Sequence, residues 1–225
     1  MKLRGIEACV FDAYGTLFDV NSAVRGEKDS LGLKWQPLAE LWRAKQLQYT
    51  WLRSLAGRYA DFWQVTGDAL DFALAALEIK DRGLHERLME LYLILGAYPE
   101  VPNTLKRLKD AGMKLAILSN GTPAMLAAAV ANAGISDLLD AILSVDEVKI
   151  YKPHPSVYRL ACERFDITPD RVCFVSSNGW DAYSAKAFGF RVLWCNRTGQ
   201  VPEGIPEAPD AQIASLAEMP EIVFG

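Results

Sequence analysis

Four short runs of polar residues stand out because each follows directly on an apolar stretch. Asp12 and Thr16 follow Ala8–Phe11, and Ser119 and Asn120 follow Lys114–Leu118. Lys152 lies in Lys149-Ile-Tyr-Lys-Pro153 beyond Ala141–Ser144, and Ser176, Ser177, Asn178 and Asp181 follow Val172–Val175. Together they offer carboxylates, an ammonium, hydroxyls and an amide, the group types that acid–base and nucleophilic chemistry draws on. Taken singly, each residue has a plainer use. Asp12 is more commonly a turn-capping carboxylate, Lys152 a solvated lysine before a proline, and Ser176-Ser177-Asn178 an N-cap for the next helix. Their shared placement carries the weight.

That placement follows from the elements. Ala8–Phe11, Lys114–Leu118, Ala141–Ser144, Val172–Val175 and Arg191–Cys195 read as short buried strands closed by turn residues. Helical patterns cover Val101–Ala111, Pro123–Ala133, Pro155–Phe165 and Asp181–Phe188. Strands alternating with helices predict an α/β fold with a Rossmann-like parallel sheet covered on both faces. All strand C-termini then lie on one edge, so the four polar runs converge there.

From about Asn21 to Gly96 no strand is legible, and Gln36–Leu55, Asp61–Glu78 and Leu84–Leu95 read as helices. Leu41, Ala44, Gln48, Trp51 and Leu55 keep the helical period in the first; Phe62, Val65, Ala69, Phe72 and Ala76 keep it in the second. Residues 17–96 are thus expected to form a helical cap inserted after the first strand, with 1–16 and 97–225 as the α/β core. An insertion there stands beside the edge where open α/β sheets bind ligands. Arg43 lies off the first helix's stripe, on a face shared with Leu47 and Thr50, so that helix can present a cation to the cleft. The segment from Thr198, with Pro202, Pro206, Pro209 and Pro220, reads as a loop-rich tail.

Composition narrows the partners. The 225 residues carry a net charge of −4, which argues against a nucleic-acid binder working through phosphate contacts. With 51% hydrophobic residues, six Trp, eight Tyr and nine Phe, the chain is not disordered. No apolar run approaches the roughly 18 residues of a membrane span. Cys9, Cys162, Cys173 and Cys195 form no CxxC pair, so neither a zinc site nor a disulfide framework is indicated, and they read as small buried hydrophobes. An N-terminus running straight into a strand is no signal peptide. A soluble, cytoplasmic protein is expected.

Asp12-Ala-Tyr-Gly-Thr-Leu17, Leu118-Ser-Asn-Gly121, Lys149-Ile-Tyr-Lys-Pro153 and Val175-Ser-Ser-Asn-Gly-Trp-Asp181 resemble the ordered motifs of the haloacid dehalogenase superfamily. Arg43 within Leu-Trp-Arg, and Gly57-Arg-Tyr-Ala-Asp-Phe-Trp63, extend the resemblance to its L-2-haloacid dehalogenase branch. Within that superfamily the competing reading is a Mg²⁺-dependent phosphatase. Phosphatases carry a second Asp two residues after the nucleophile and a Gly-Asp pair after the fourth strand; here these positions hold Tyr14 and Ser176-Ser177. Hydroxyls are poor substitutes for carboxylates around octahedral Mg²⁺, so neither metal nor cofactor is expected.

The resemblance implies specific roles. Asp12 attacks C2 of a short 2-haloalkanoate and forms an ester, which water then hydrolyses. Lys152 keeps Asp12 ionised, and Thr16 holds the nucleophile loop. Ser176, Asn178 and Asp181 orient Lys152 and the water, with Tyr158 supporting the cluster. Ser119 binds the substrate carboxylate, while Arg43 and Asn120 donate to the departing halide. Tyr14, Leu47, Phe62 and Trp180 form a small apolar wall. The resemblance also implies a homodimer. Two points stay open at this level: the base that activates the water, and whether Tyr183 points to solvent, to the cap or into the pocket.

Overall fold

A computed structural model describes residues 2–224. The strands β1 (Ala8–Phe11), β2 (Lys114–Ser119), β3 (Ala141–Ser144), β4 (Val172–Ser176), β5 (Arg191–Cys195) and β6 (Ala211–Ile213) form one sheet in the order 3-2-1-4-5-6. Every pairing is parallel. β1 is apolar throughout, β4 is apolar up to its final Ser176, and both are wholly buried, as befits central strands covered on both faces. The crossover helices are α6 (Val101–Asp110), α7 (Pro123–Asn132), α8 (Pro155–Phe165) and α9 (Gly179–Phe188). Strand order reverses between β1 and β4, and the crevice beyond their C-termini is where open α/β sheets bind ligands.

The helical block consists of α1 (Asn21–Gly26), α2 (Lys28–Leu31), α3 (Trp35–Leu55), α4 (Phe62–Ala76) and α5 (Leu84–Leu93), all between β1 and α6. The two chain segments joining it to the sheet pair with each other. Tyr98 N–H donates to the Leu17 carbonyl at 3.0 Å, Asp19 N–H to that of Gly96 at 3.0 Å, and Phe18 bridges Ala97. No helix among the described residues is long and apolar enough to cross a membrane.

Three sequence expectations need correction. The tail is not all loop: Ala211–Ile213 pairs with β5, and α10 (Met219–Val223) follows. A three-residue strand among prolines has too little periodicity to register; Asp210 anchors it by accepting from Lys186 Nζ and from Val192 N–H, all at 2.8 Å. In α3 the buried stripe is Leu38, Ala39, Trp42, Gln46 and Thr50, whereas Ala44, Gln48 and Leu55 face outward, Leu55 at 87% exposure. Periodicity identified a helix but chose its wrong face, because Gln46 and Thr50 look polar in sequence and satisfy their hydrogen bonds inside the fold. In α4, Phe62, Val65 and Ala69 are buried as expected, but the stripe continues to Ala73, leaving Phe72 and Ala76 exposed.

Beneath the β4 side of the crevice sits an aromatic cluster. Phe174 stacks on Phe190 with centroids 5.8 Å apart and meets Tyr158 edge-on at 5.8 Å. Tyr183 is buried edge-on against Trp194, 6.2 Å between centroids. Its ring therefore packs on the sheet, not in solvent. We expect Phe174→Ala to lower unfolding free energy by about 3–5 kcal/mol in urea titrations, with Phe174→Leu costing clearly less. Equal costs would mean that restored aliphatic burial recovers nothing and that the aromatic packing carries the whole effect.

Candidate active site

The site begins with a turn. Asp12 N–H still donates to the Val175 carbonyl at 2.9 Å, one residue past β1, so the carboxylate leaves the sheet in fixed register with β4. The chain then folds back on itself. The N–H groups of Thr16, Leu17 and Phe18 all reach the Ala13 carbonyl, at 3.3, 2.9 and 3.0 Å, while Gly15 takes φ +89°, a conformation strained for any side chain. This return brings the Thr16 hydroxyl to Asp12 Oδ2 at 3.1 Å. The same oxygen of Thr16 accepts from Ser177 N–H at 2.8 Å, tying the turn after β1 to the turn after β4.

Lys152 arrives from the loop between β3 and α8 and is only 1% exposed. Its ammonium donates to Asp12 Oδ1 at 3.1 Å and to Asp181 Oδ2 at 2.8 Å, and rests 4.9 Å from the centre of the Phe174 ring. Tyr158 donates to the other oxygen of Asp181 at 2.8 Å. Burial opposes the charge on Lys152, but the two carboxylates outweigh it and hold its pKa above the ordinary lysine value. Burial, with the like charge of Asp12, pushes Asp181 upward against the opposing pull of Lys152. Both shifts express one fact: a buried group of two carboxylates and one ammonium holds protons tightly.

Asn178 completes the nucleophile's surroundings. Its Nδ2 donates to Asp12 Oδ2 at 2.8 Å and lies 3.3 Å from the Tyr14 carbonyl. Its Oδ1 accepts from Arg43 Nη2 at 3.2 Å, a bond that joins α3 to the sheet edge. The Asp12 carboxylate thus receives three donors over two oxygens, from three different loops. Ser176 is fully buried and accepts from Asn178 N–H at 3.1 Å, so its hydrogen bond holds the loop and is not made to Lys152.

The remaining expected residues are placed as follows. Asn120 accepts from Lys152 N–H at 3.1 Å and anchors the lysine loop. The Ser119 hydroxyl accepts from Gly121 N–H at 3.1 Å within its own turn. Tyr14 is buried between Phe62 and Tyr92, at centroid distances of 5.6 and 5.3 Å, and its hydroxyl has no hydrogen-bond partner among the described residues. Burial raises its pKa well above the ordinary value, so it stays neutral. A Cβ on Gly121 would come within 2.7 Å of this ring, which explains the glycine. Trp180 meets Trp51 of α3 edge-on at 5.4 Å and lines a cavity of about 500 Å³ with Lys152, Tyr151 and Ser54. Leu47 is half-buried on α3. Sequence reasoning missed Gln46, Thr66 and Tyr92, which lie behind Arg43; the one available signal was that Gln46 sits a helical turn after it.

Comparison with known proteins places this geometry. Residues 6–189 match the haloacid dehalogenase-like hydrolase family. The chain is 50% identical over 221 residues to (S)-2-haloacid dehalogenase 1 of Pseudomonas sp. (strain CBS-3), covering 97% of each. It is 49% identical over 215 residues to (S)-2-haloacid dehalogenase 4A of Burkholderia cepacia, covering 95% of this chain and 93% of that one. A solved structure of the L-2-haloacid dehalogenase from Xanthobacter autotrophicus, with chloropropionic acid covalently bound, superposes with a TM-score of 0.91 at 41% identity, covering 98% of this chain and 99% of that one.

The charge cluster generates two expectations. Lys152, held above its usual pKa, contributes stability below the unfolded lysine value and loses it only as pH rises through the higher folded value. Any alkaline limb of turnover that reports Lys152 should therefore lie above about 10.4 and move to lower pH in Asp181→Asn, which removes one carboxylate partner. A limb that stays put in that variant counts against the assignment. Asp181→Ala, which leaves Lys152 short of a partner, should cost about 3–5 kcal/mol in equilibrium unfolding.

Proposed function

The chain belongs to the haloacid dehalogenase-like hydrolases, in their (S)-2-haloacid dehalogenase branch, and from that premise we propose how its residues remove halide from short L-2-haloalkanoic acids. The observation that carries the reading is the Asp12 carboxylate at the sheet's switch point, held by Lys152, Thr16 and Asn178. Three donors fix its plane before substrate binds, so attack needs little further ordering. One carboxylate oxygen attacks C2 as the carbon–halogen bond breaks with inversion. The halide leaves with its electron pair, and no protonation is required. Water then adds to the ester carbonyl of Asp12, and collapse releases a D-2-hydroxy acid and restores the carboxylate.

Arg43, bound to the Asn178 amide oxygen, donates to the departing halide together with the Asn120 amide nitrogen, the oxygen of that amide being taken by Lys152 N–H. Ser119 and the N–H groups of its turn receive the substrate carboxylate. Tyr14, Phe62, Trp180 and Leu47 surround the alkyl group, which limits its size. Both oxygens of Asp181 are engaged, by Lys152 and Tyr158. This favours Asp181 as the anchor of Lys152, leaving the water beside Asn178 and Lys152. The proposal takes residues 17–96 as a cap that opens to admit substrate, and the protein as a cytoplasmic homodimer.

Halide release from L- and D-2-chloropropionate in the presence of EDTA tests the reaction class. Release from the L isomer alone is expected. No release, with Mg²⁺-dependent hydrolysis of a phosphate ester instead, would overturn it. A single turnover in heavy-oxygen water should place label in the Asp12 carboxylate; label passing straight into the hydroxy acid would mean that water attacks C2 directly. Asp12→Asn should abolish ester formation.

A further inference from the structure

Arg43 is held from behind as well as in front. Its Nη1 donates to Gln46 Oε1 at 2.7 Å, one helical turn along α3, while Nη2 reaches Asn178. Gln46 is 1% exposed, so its amide must find partners inside the protein. Its Nε2 donates to Thr66 Oγ1 at 2.7 Å and to the Tyr92 hydroxyl at 3.2 Å. Thr66 in turn spends its own proton on the Phe62 carbonyl, at 2.6 Å. Its oxygen can then only accept from Gln46, which forces the amide nitrogen toward Thr66 and the amide oxygen toward Arg43.

The charges explain why an amide stands here. Asp12, Asp181 and Lys152 together carry one net negative charge, which opposes an incoming anion. Both hydrogen-bond partners of Arg43 are neutral amide oxygens, and among the described residues Arg43 forms no ion pair. A glutamate at position 46 could still accept from the guanidinium, but it would cancel that charge and lose the donor to Thr66.

We propose that Gln46 is a positioning residue, locked by Thr66 and Tyr92, that aims Arg43 into the site while leaving its positive charge available to the substrate anion and the departing halide. This rests on the reading of Arg43 as the halide donor. Its action is indirect: Gln46 touches neither substrate nor nucleophile.

The test compares Gln46→Glu, Gln46→Leu and Arg43→Gln with the parent enzyme, reading kcat and KM for L-2-chloropropionate, inhibition by chloride and bromide, and thermal melting. Loss of a hydrogen bond to a charged group predicts at least about tenfold weaker halide inhibition in Gln46→Leu, with a lower kcat. Gln46→Glu should weaken halide inhibition and raise KM by a similar factor, and should also melt below the parent because its second carboxylate oxygen faces the Thr66 oxygen without a donor. A purely structural role would lower melting temperature and active fraction and leave the halide inhibition constant unchanged, which would overturn the proposal. If Arg43→Gln leaves halide inhibition intact, the reading of Arg43 fails; if it abolishes inhibition while both Gln46 variants retain it, the Gln46 proposal fails alone. Should the Gln46 variants not fold, Thr66→Val, which loses the locking acceptor, should weaken halide inhibition about two- to fivefold, and Thr66→Ser should restore it. Equal behaviour of the two would also overturn the proposal.

Discussion

The structure depends on one buried ammonium. Lys152 stands between Asp12 and Asp181, and these three residues come from loops after three different strands. Removing such charges from water is costly, and only close, well-aligned partners compensate. The loop carrying Lys152, the turn carrying Asp12 and the first turn of α9 must therefore dock together. Tyr158, the Phe174 ring and the Asn120 amide hold the remaining faces of this cluster. The arrangement stabilises an ionised nucleophile and ties the integrity of the sheet edge to the chemistry it serves.

A second layer of control comes from the helical block. Asp12 receives its donors from the core, whereas the Arg43 guanidinium reaches the sheet edge from α3. The site is complete only when the block is seated on the sheet edge. Hydrogen bonds from Tyr151 to Ser54 and Ala60 and from Arg43 to Asn178 connect the two, and Asn178 simultaneously holds Asp12. Seating of the helices and alignment of the nucleophile are therefore coupled through one amide.

Much of this was legible in the residues. Polar runs after apolar ones located the catalytic edge, because a parallel sheet leaves the strand ends nowhere else to go. The spacing that placed Asp12, Lys152, Asn178 and Asp181 in successive loops anticipated their convergence. What periodicity could not settle was which face of α3 is buried. A stripe containing Gln46 and Thr50 scores as polar, and only internal partners make its burial affordable. For the same reason Thr66 and Tyr92 carried no signal. β6 escaped notice because three residues between prolines hold too little pattern to distinguish a strand from a loop.

By itself, the sequence determined the alternation of strands and helices, the insertion after the first strand, and the order in which chemical groups reach the sheet edge. These are local properties of apolar runs, turn residues and chain order. The tertiary structure alone decided which groups share hydrogen bonds: that Ser176 serves the loop and not Lys152, that Tyr183 packs on Trp194, and that Gln46 stands behind Arg43. Each is a contact between side chains whose direction depends on packing from several elements at once. No window along the chain contains that information, because the partners meet only after the sheet and helices have assembled.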